Sequence, residues 1–150
     1  MNHIYYVVLP IALASLVVSA CSSGARTPTS PSPTVGSTAL TADVLSTTWR
    51  LHSIQPAGQP EQASPAGADY TLTFTDRLSL RADCNTCSSS YTISGSTISV
   101  ANVMACTRAH CPTAAFERDY TSLMNGDFAV TTTGSSMTWS SARGTIRFSR

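Results

Sequence analysis

The sequence predicts an α+β domain, a small antiparallel sheet of about eight strands curved around one α-helix. Three observations carry this. Apolar residues alternate with Ser and Thr in short segments from Thr48 to Ser149, the period-2 pattern of half-buried strands. One segment, Pro112 to Met124, instead places Phe116, Tyr120, Leu123 and Met124 on a single helical stripe. A sheet apolar on one face buries that face and the stripe together if it curls over the helix.

The chain divides into residues 1–20, 21–40 and 41–150. Ile4 to Val18 is almost wholly apolar, too short for a comfortable membrane span and suited to the apolar core of a signal peptide. Val18-Ser19-Ala20-Cys21 resembles the lipobox of bacterial lipoproteins. That resemblance implies cleavage before Cys21, a diacylglyceryl group on its thiol and palmitate-type acylation. Met1 to Tyr6 departs from the usual signal peptide in carrying no Lys or Arg. Ser22 after the cysteine points to the outer membrane in a cell with two membranes, by resemblance to known sorting rules. Residues 21–40 are rich in Pro, Ser and Thr without apolar periodicity. They read as a disordered tether with a span of about 25 Å.

From Thr41 the pattern changes. Thr41 to Leu45 forms one helical turn capped by Thr41. Thr48 to Ile54 is a strand, with Trp49 and Leu51 on one face and Arg50 and His52 on the other. Gln55 to Ala68 holds three prolines and two glycines and reads as a long exposed loop. Tyr70, Leu72 and Phe74 alternate with threonines, and Leu78, Leu80 and Ala82 continue the apolar face beyond a turn. Tyr91 and Ile93 turn through Ser94-Gly95-Ser96 into Ile98 and Val100. In the helix, Pro112 suits the first position and Asn125-Gly126 the stop, with Glu117, Arg118 and Thr121 facing water. Phe128 to Thr132, Met137 to Ser140 and Thr145 to Ser149 close the sheet.

Cys84, Cys87, Cys106 and Cys111 remain once Cys21 is lipidated. In an exported domain an even number favours disulfides. Of the three possible pairings, Cys84–Cys106 with Cys87–Cys111 is favoured, because strand ends joined through hairpins can return to one sheet edge. Pairing of sequence neighbours is the runner-up. Each favoured bridge closes a loop of about 20 residues, worth about 3 kcal/mol in the chain-entropy model. A zinc site is the rival, since the spacing is near that of a zinc ribbon and His110 is adjacent. Export argues against it, and no metal is expected. Redox chemistry at Cys84-Asn-Thr-Cys87 lacks the helix N-terminus that activates such dithiols.

All nine basic residues are arginine, which excludes lysine-based covalent chemistry. Eight acidic residues balance them to a formal charge of +1 with no basic run, so no nucleic-acid partner is expected. No phosphate loop, nucleophile elbow or paired-carboxylate spacing is present. His52 reads as a solvated residue and His110 as a loop residue. Asp83 and Asn85 read as bonding their own turn. Trp49, Phe74, Trp139 and Phe148 read as core.

The order of motifs across residues 41–150 resembles the META domain, also called HslJ-like, found in bacterial envelope lipoproteins and a heat-shock protein. The residues are Trp49-Arg50-Leu51, Tyr70 to Phe74, Asp83-Cys84-Asn85, Ser89-Ser90-Tyr91, Met104-Ala105-Cys106, the helix with Glu117 and Leu123, and Thr145 to Phe148. In that family glycine usually stands where this chain has Asp83 and Ser89. The threonine usual before Met-Ala-Cys is missing, and Cys87 and Cys111 are extra. The extra pair resembles a second bridge introduced together, which agrees with the favoured pairing. The resemblance implies a small sheet curved around one helix and no established chemistry.

The expectation is a non-catalytic cell-envelope lipoprotein, not an enzyme and without cofactor. It would be held to the membrane by its lipid anchor and would bind an unknown envelope protein or ligand in an envelope-stress or stability role. The alternative is a carrier of lipid or acyl chains, similar to a secretin pilot, which would need an open apolar cavity between helix and sheet. A Cys-based redox or zinc-binding protein is the third reading.

Overall fold

The computed structural model describes residues 40–150. The expected signal peptide, the lipidated Cys21 and the tether up to residue 39 lie outside the described residues. The elements run α1 (Ala42–Ser46), β1 (Trp49–Pro56), β2 (Gln62–Ala63), β3 (Tyr70–Phe74), β4 (Leu78–Ala82), β5 (Asn85–Ser89), β6 (Tyr91–Ser94), β7 (Thr97–Val100) and β8 (Ala105–Cys106). After these come α2 (Ala114–Leu123), β9 (Gly126–Thr133), β10 (Ser136–Ser141) and β11 (Gly144–Ser149).

The eleven strands form one sheet in the order β6-β7-β9-β10-β11-β1-β3-β4-β5-β8, with β2 paired to β1 off that path. Every pairing between them is antiparallel. The sequence expectation of about eight strands omits β2, β5 and β8. Two of these are only two residues long, too short to show a period.

Chain connectivity shows why the sheet curls into a half-barrel. β5 and β6 lie near opposite ends of the strand order, yet only Ser90 separates them in sequence. A flat sheet of this width could not place them one residue apart, since neighbouring strands are about 4.8 Å apart. Ser89 holds this corner from inside. It is fully buried, and its hydroxyl donates to the carbonyls of Ala101 and Val103 at 3.4 and 3.0 Å. Outside the corner, Tyr91 Oη donates to the carbonyl of Thr75 at 2.9 Å, and its ring meets Phe74 edge-on.

The inward-facing residues of the strands make one core. Trp139 is fully buried among Phe74, Phe128 and Phe148 at centroid distances of 6.1, 5.1 and 5.7 Å. Trp49 is also fully buried, and its indole N–H donates to the carbonyl of Val44, tying α1 to the sheet. Trp49, Phe74, Trp139 and Phe148 are core, as the alternation predicts. Thr41 occupies the N-cap of α1 but makes no side-chain capping bond, contrary to expectation.

The stripe on α2 packs as predicted, with Tyr120, Leu123 and Met124 buried and Phe116 partly so. Tyr70 of β3 meets Phe116 and Tyr120 edge-to-face at 5.2 and 5.7 Å. The helix begins at Ala114, with Pro112 in the turn before it and not at its first position. At the other end, Arg143 donates to the carbonyls of Leu123 and Asn125 at 3.1 and 2.8 Å. A cation there answers the negative end of the helix dipole and satisfies orphan carbonyls.

The segment expected to be a long free loop is pinned. β2 pairs back onto β1, and Glu61 accepts bonds from Ser53 and Arg147. Across β1, Gly144 adopts φ +147°, and a Cβ there would lie 2.3 Å from the carbonyl oxygen of Gln55. Only glycine allows β11 to approach β1 this closely.

Candidate functional site

The four cysteines form two disulfides, Cys84–Cys111 and Cys87–Cys106. This corrects the favoured pairing of Cys84 with Cys106 and Cys87 with Cys111. It corrects the sequence-neighbour alternative too. The cause is strand direction. β5 and β8 run antiparallel with Cys87 directly opposite Cys106. Residues before Cys87 therefore meet residues after Cys106, and Cys84 meets Cys111. The bridges are nested, as an antiparallel ladder requires. The sulfurs that a zinc ribbon or a dithiol would use are all in these bonds.

Between and beside the bridges, Asn85 organises the corner. It is 2% exposed. Its Oδ1 accepts from the backbone N–H of Ala109 at 2.7 Å and from Thr107 Oγ1 at 2.9 Å. Its Nδ2 faces the Ala109 carbonyl at 3.0 Å and both carboxylate oxygens of Glu117 at 2.9 and 3.0 Å. One amide thus joins β5, the loop at residues 107–111 and α2. Asn85 does not bond its own turn, which corrects the local reading. Glu117 is half-buried against Asn85, and so does not simply face water.

The turn before Asn85 is unusual. Asp83 has φ +58°, the only positive φ among described residues other than glycine. Asp and Asn tolerate this region better than most residues, and glycine best. Asp83 adds something glycine cannot supply. Its Oδ2 accepts from Thr113 Oγ1 at 2.7 Å, and Thr113 Oγ1 accepts in turn from Tyr70 Oη at 2.8 Å. Thr113 is therefore committed away from α2, whose N-terminus has no side-chain cap. Burial raises the Tyr70 phenol above its ordinary value.

Next to this network lies an open cleft of about 500 Å³ between the 104–110 segment and α2. Met104, Ala109 and Ala114 give it apolar wall, Asn85 and Glu117 part of its floor, and Arg108, His110 and Arg118 its charged or titratable rim. His110 is exposed in the loop, and His52 is exposed on β1, away from the cleft. The two histidines are not brought together in the cleft. Among the described residues, no cluster of three or more His, Cys, Asp or Glu is placed to hold a metal ion. Among them also, no helix is long and apolar enough to cross a membrane.

Sequence reasoning missed Asn85, Thr107 and Glu117 as a unit. The signal available was a polar residue, Asn85, at the inward phase of a strand with Cys87 and Ser89. A buried asparagine must find partners, and none is available within NTCSS itself.

No curated protein sequence matches the chain. Two solved structures are similar in fold. One, described as the NMR structure of a protein from Burkholderia xenovorans, has a TM-score of 0.60 at 24% identity, covering 72% of this chain and 84% of that one. The other, also an NMR structure, has a TM-score of 0.53 at 17% identity, covering 70% and 89%. The model of the META domain family matches residues 42–150. The chain belongs to the META domain family.

Proposed function

We propose that this protein is a non-catalytic binding protein of the bacterial cell envelope, anchored by lipid at Cys21. The observation that carries the binding half is the Asn85 network. Proton-transfer catalysis needs a group free to change partners and charge during turnover. Here the Glu117 carboxylate is engaged by Asn85, and Asn85 by Ala109 and Thr107. The four sulfurs are in disulfides. The most polar corner of the domain is therefore a fixed scaffold carrying an open cleft. Such a scaffold suits recognition, in which rigid positioning limits the entropy lost on binding.

The anchor rests on the Val18-Ser19-Ala20-Cys21 pattern and the Pro/Ser/Thr stretch that follows it. The acyl-carrier reading has less support, because the space between helix and sheet is filled by Tyr70, Tyr120, Met124 and their neighbours.

Intact mass of the protein extracted from membranes tests the anchor. The expected chain starts at Cys21 and carries lipid; a chain starting at Met1, or cut without lipid, contradicts it. Complementation of a deletion strain under envelope stress tests the binding half. His52→Ala, outside the cleft, should complement fully. Loss of function in this variant, with a native circular dichroism spectrum, contradicts a non-catalytic role.

A further inference from the structure

Eight of the nine arginines fall within the described residues, and six of these have partners. Arg50 pairs with Asp69, Arg147 with Glu61 and Arg150 with Asp43. Arg77 donates to Ser88, Arg81 to the carbonyl of Asp83, and Arg143 to the end of α2. The two described arginines whose side chains have no hydrogen-bond or ion-pair partner are Arg108 and Arg118. Both line the one cleft beside Asn85, one on the loop and one on the helix.

We infer that this cleft binds a small organic oxyanion, a carboxylate or a phosphate ester, with Arg108 and Arg118 taking the charged group. The inference deepens the proposed binding role and rests on it. A guanidinium presents a planar fork of donors that matches either oxyanion, often in bidentate fashion. Carboxylate and phosphate share this chemistry. The apolar part of the ligand would lie against Met104 and Ala114, and a volume of about 500 Å³ suits a small molecule.

The opposing charge at the cleft is Glu117. Both its oxygens face the Asn85 amide, so two guanidiniums stand against one carboxylate already bonded within the fold. The start of α2 adds to the same preference. Ala114 lines the cleft, and the helix N-terminus has no side-chain cap. Its partial positive charge favours an anion nearby. The loop carrying Arg108 is fixed at both ends, by Cys106 to Cys87 and by Cys111 to Cys84. The arginine stem therefore starts from a set backbone position, and less entropy is lost on binding.

The test is a backbone NMR titration of the full chain in detergent with benzoate, phenyl phosphate and uncharged benzyl alcohol. Saturable shifts concentrated in residues 104–118 are expected with at least one of the two anions, weakening as salt is raised. Whichever anion binds tighter identifies the oxyanion. Arg108→Gln and Arg118→Gln should each weaken binding at least fivefold, and Arg50→Gln should leave it unchanged. The inference is overturned if neither anion gives saturable shifts there, if benzyl alcohol binds equally well, or if both cleft variants bind like the parent. Such a result, with His52→Ala still complementing the deletion strain, would remove the anion inference and leave the binding role standing.

Discussion

The strands β9, β10 and β11 and the corner from Asp83 to Cys111 are held together by different physics. The first region is a continuous antiparallel ladder whose inward residues, Phe128, Val130, Met137, Trp139, Ile146 and Phe148, are all buried apolar groups. Each contributes through area removed from water, and the contributions are spread over many contacts. In the corner the inward residues of β5 are Asn85, Cys87 and Ser89. Little apolar area is available there, and two disulfides and one amide do the holding. The ladder should lose stability in proportion to what is removed. The corner should depend on a few specific bonds.

Trp139→Ala should have the largest effect. It removes the ring at the centre of the aromatic cluster and should cost about 4 kcal/mol, read as a fall in the urea midpoint. Ligand-independent features of the corner, including both disulfides, should survive in whatever fraction stays folded.

Asn85→Ala should come next, at about 3 kcal/mol, although it removes far less apolar area. It leaves the Ala109 N–H and carbonyl and the Glu117 carboxylate without their buried partner. Hydrogen exchange should locate the damage, with faster exchange at residues 107–111 and near-parental rates in β10 and β11. Uniform acceleration across the sheet would show that the two regions are not separable.

Tyr120→Phe should go the other way. The Tyr120 hydroxyl is buried with no protein partner, and burial pushes its pKa far up. Removing a hydroxyl that was desolvated without a bond should raise stability by about 1 kcal/mol. Thermal melting of the variant checks the sign, and a lowered midpoint would reveal a bond in the folded state.

The smallest effect concerns acid. The bond from Ser53 lowers the Glu61 pKa, with help from Arg147 and against a desolvation penalty. A carboxyl depressed in the folded state stabilises the fold above its unfolded pKa. That stability is lost as pH falls through the folded value. Glu61→Gln should therefore narrow the difference in urea midpoint between about pH 6 and about pH 3. An unchanged pH dependence would show that this exposed group contributes nothing.

The same contrast explains what could be read from the sequence. In the ladder and in β3 and β4, burial and hydropathy share one period, so Tyr70, Leu72 and Phe74 disclose the strand directly. The stripe on α2 is equally plain. In β5 burial still alternates, but it falls on Asn85, Cys87 and Ser89, so a hydropathy pattern sees nothing. β2 and β8 are too short for any period. Because β5 and β8 carry no hydropathy period, the sequence does not disclose the antiparallel register that nests the bridges. Asp83 is the complementary case. The sequence resemblance leads to the expectation of glycine at this aspartate, and the residue has a positive φ, a conformation that glycine adopts most readily.

The account depends most on how the corner is cross-linked, since the nested bridges fix both ends of the loop that carries Arg108. Peptide mapping of the protein from the envelope, digested without reduction at acid pH to prevent exchange, tests this directly. The account predicts that the peptide containing Cys87 is joined to the one containing Cys106, and Cys84 to Cys111, with no free thiol among the four. Because Cys84 and Cys87 are only three residues apart, cleavage between them or fragmentation in the mass spectrometer is needed to assign each sulfur. Linkage of Cys84 to Cys106 with Cys87 to Cys111, or free thiols at these positions, would contradict it.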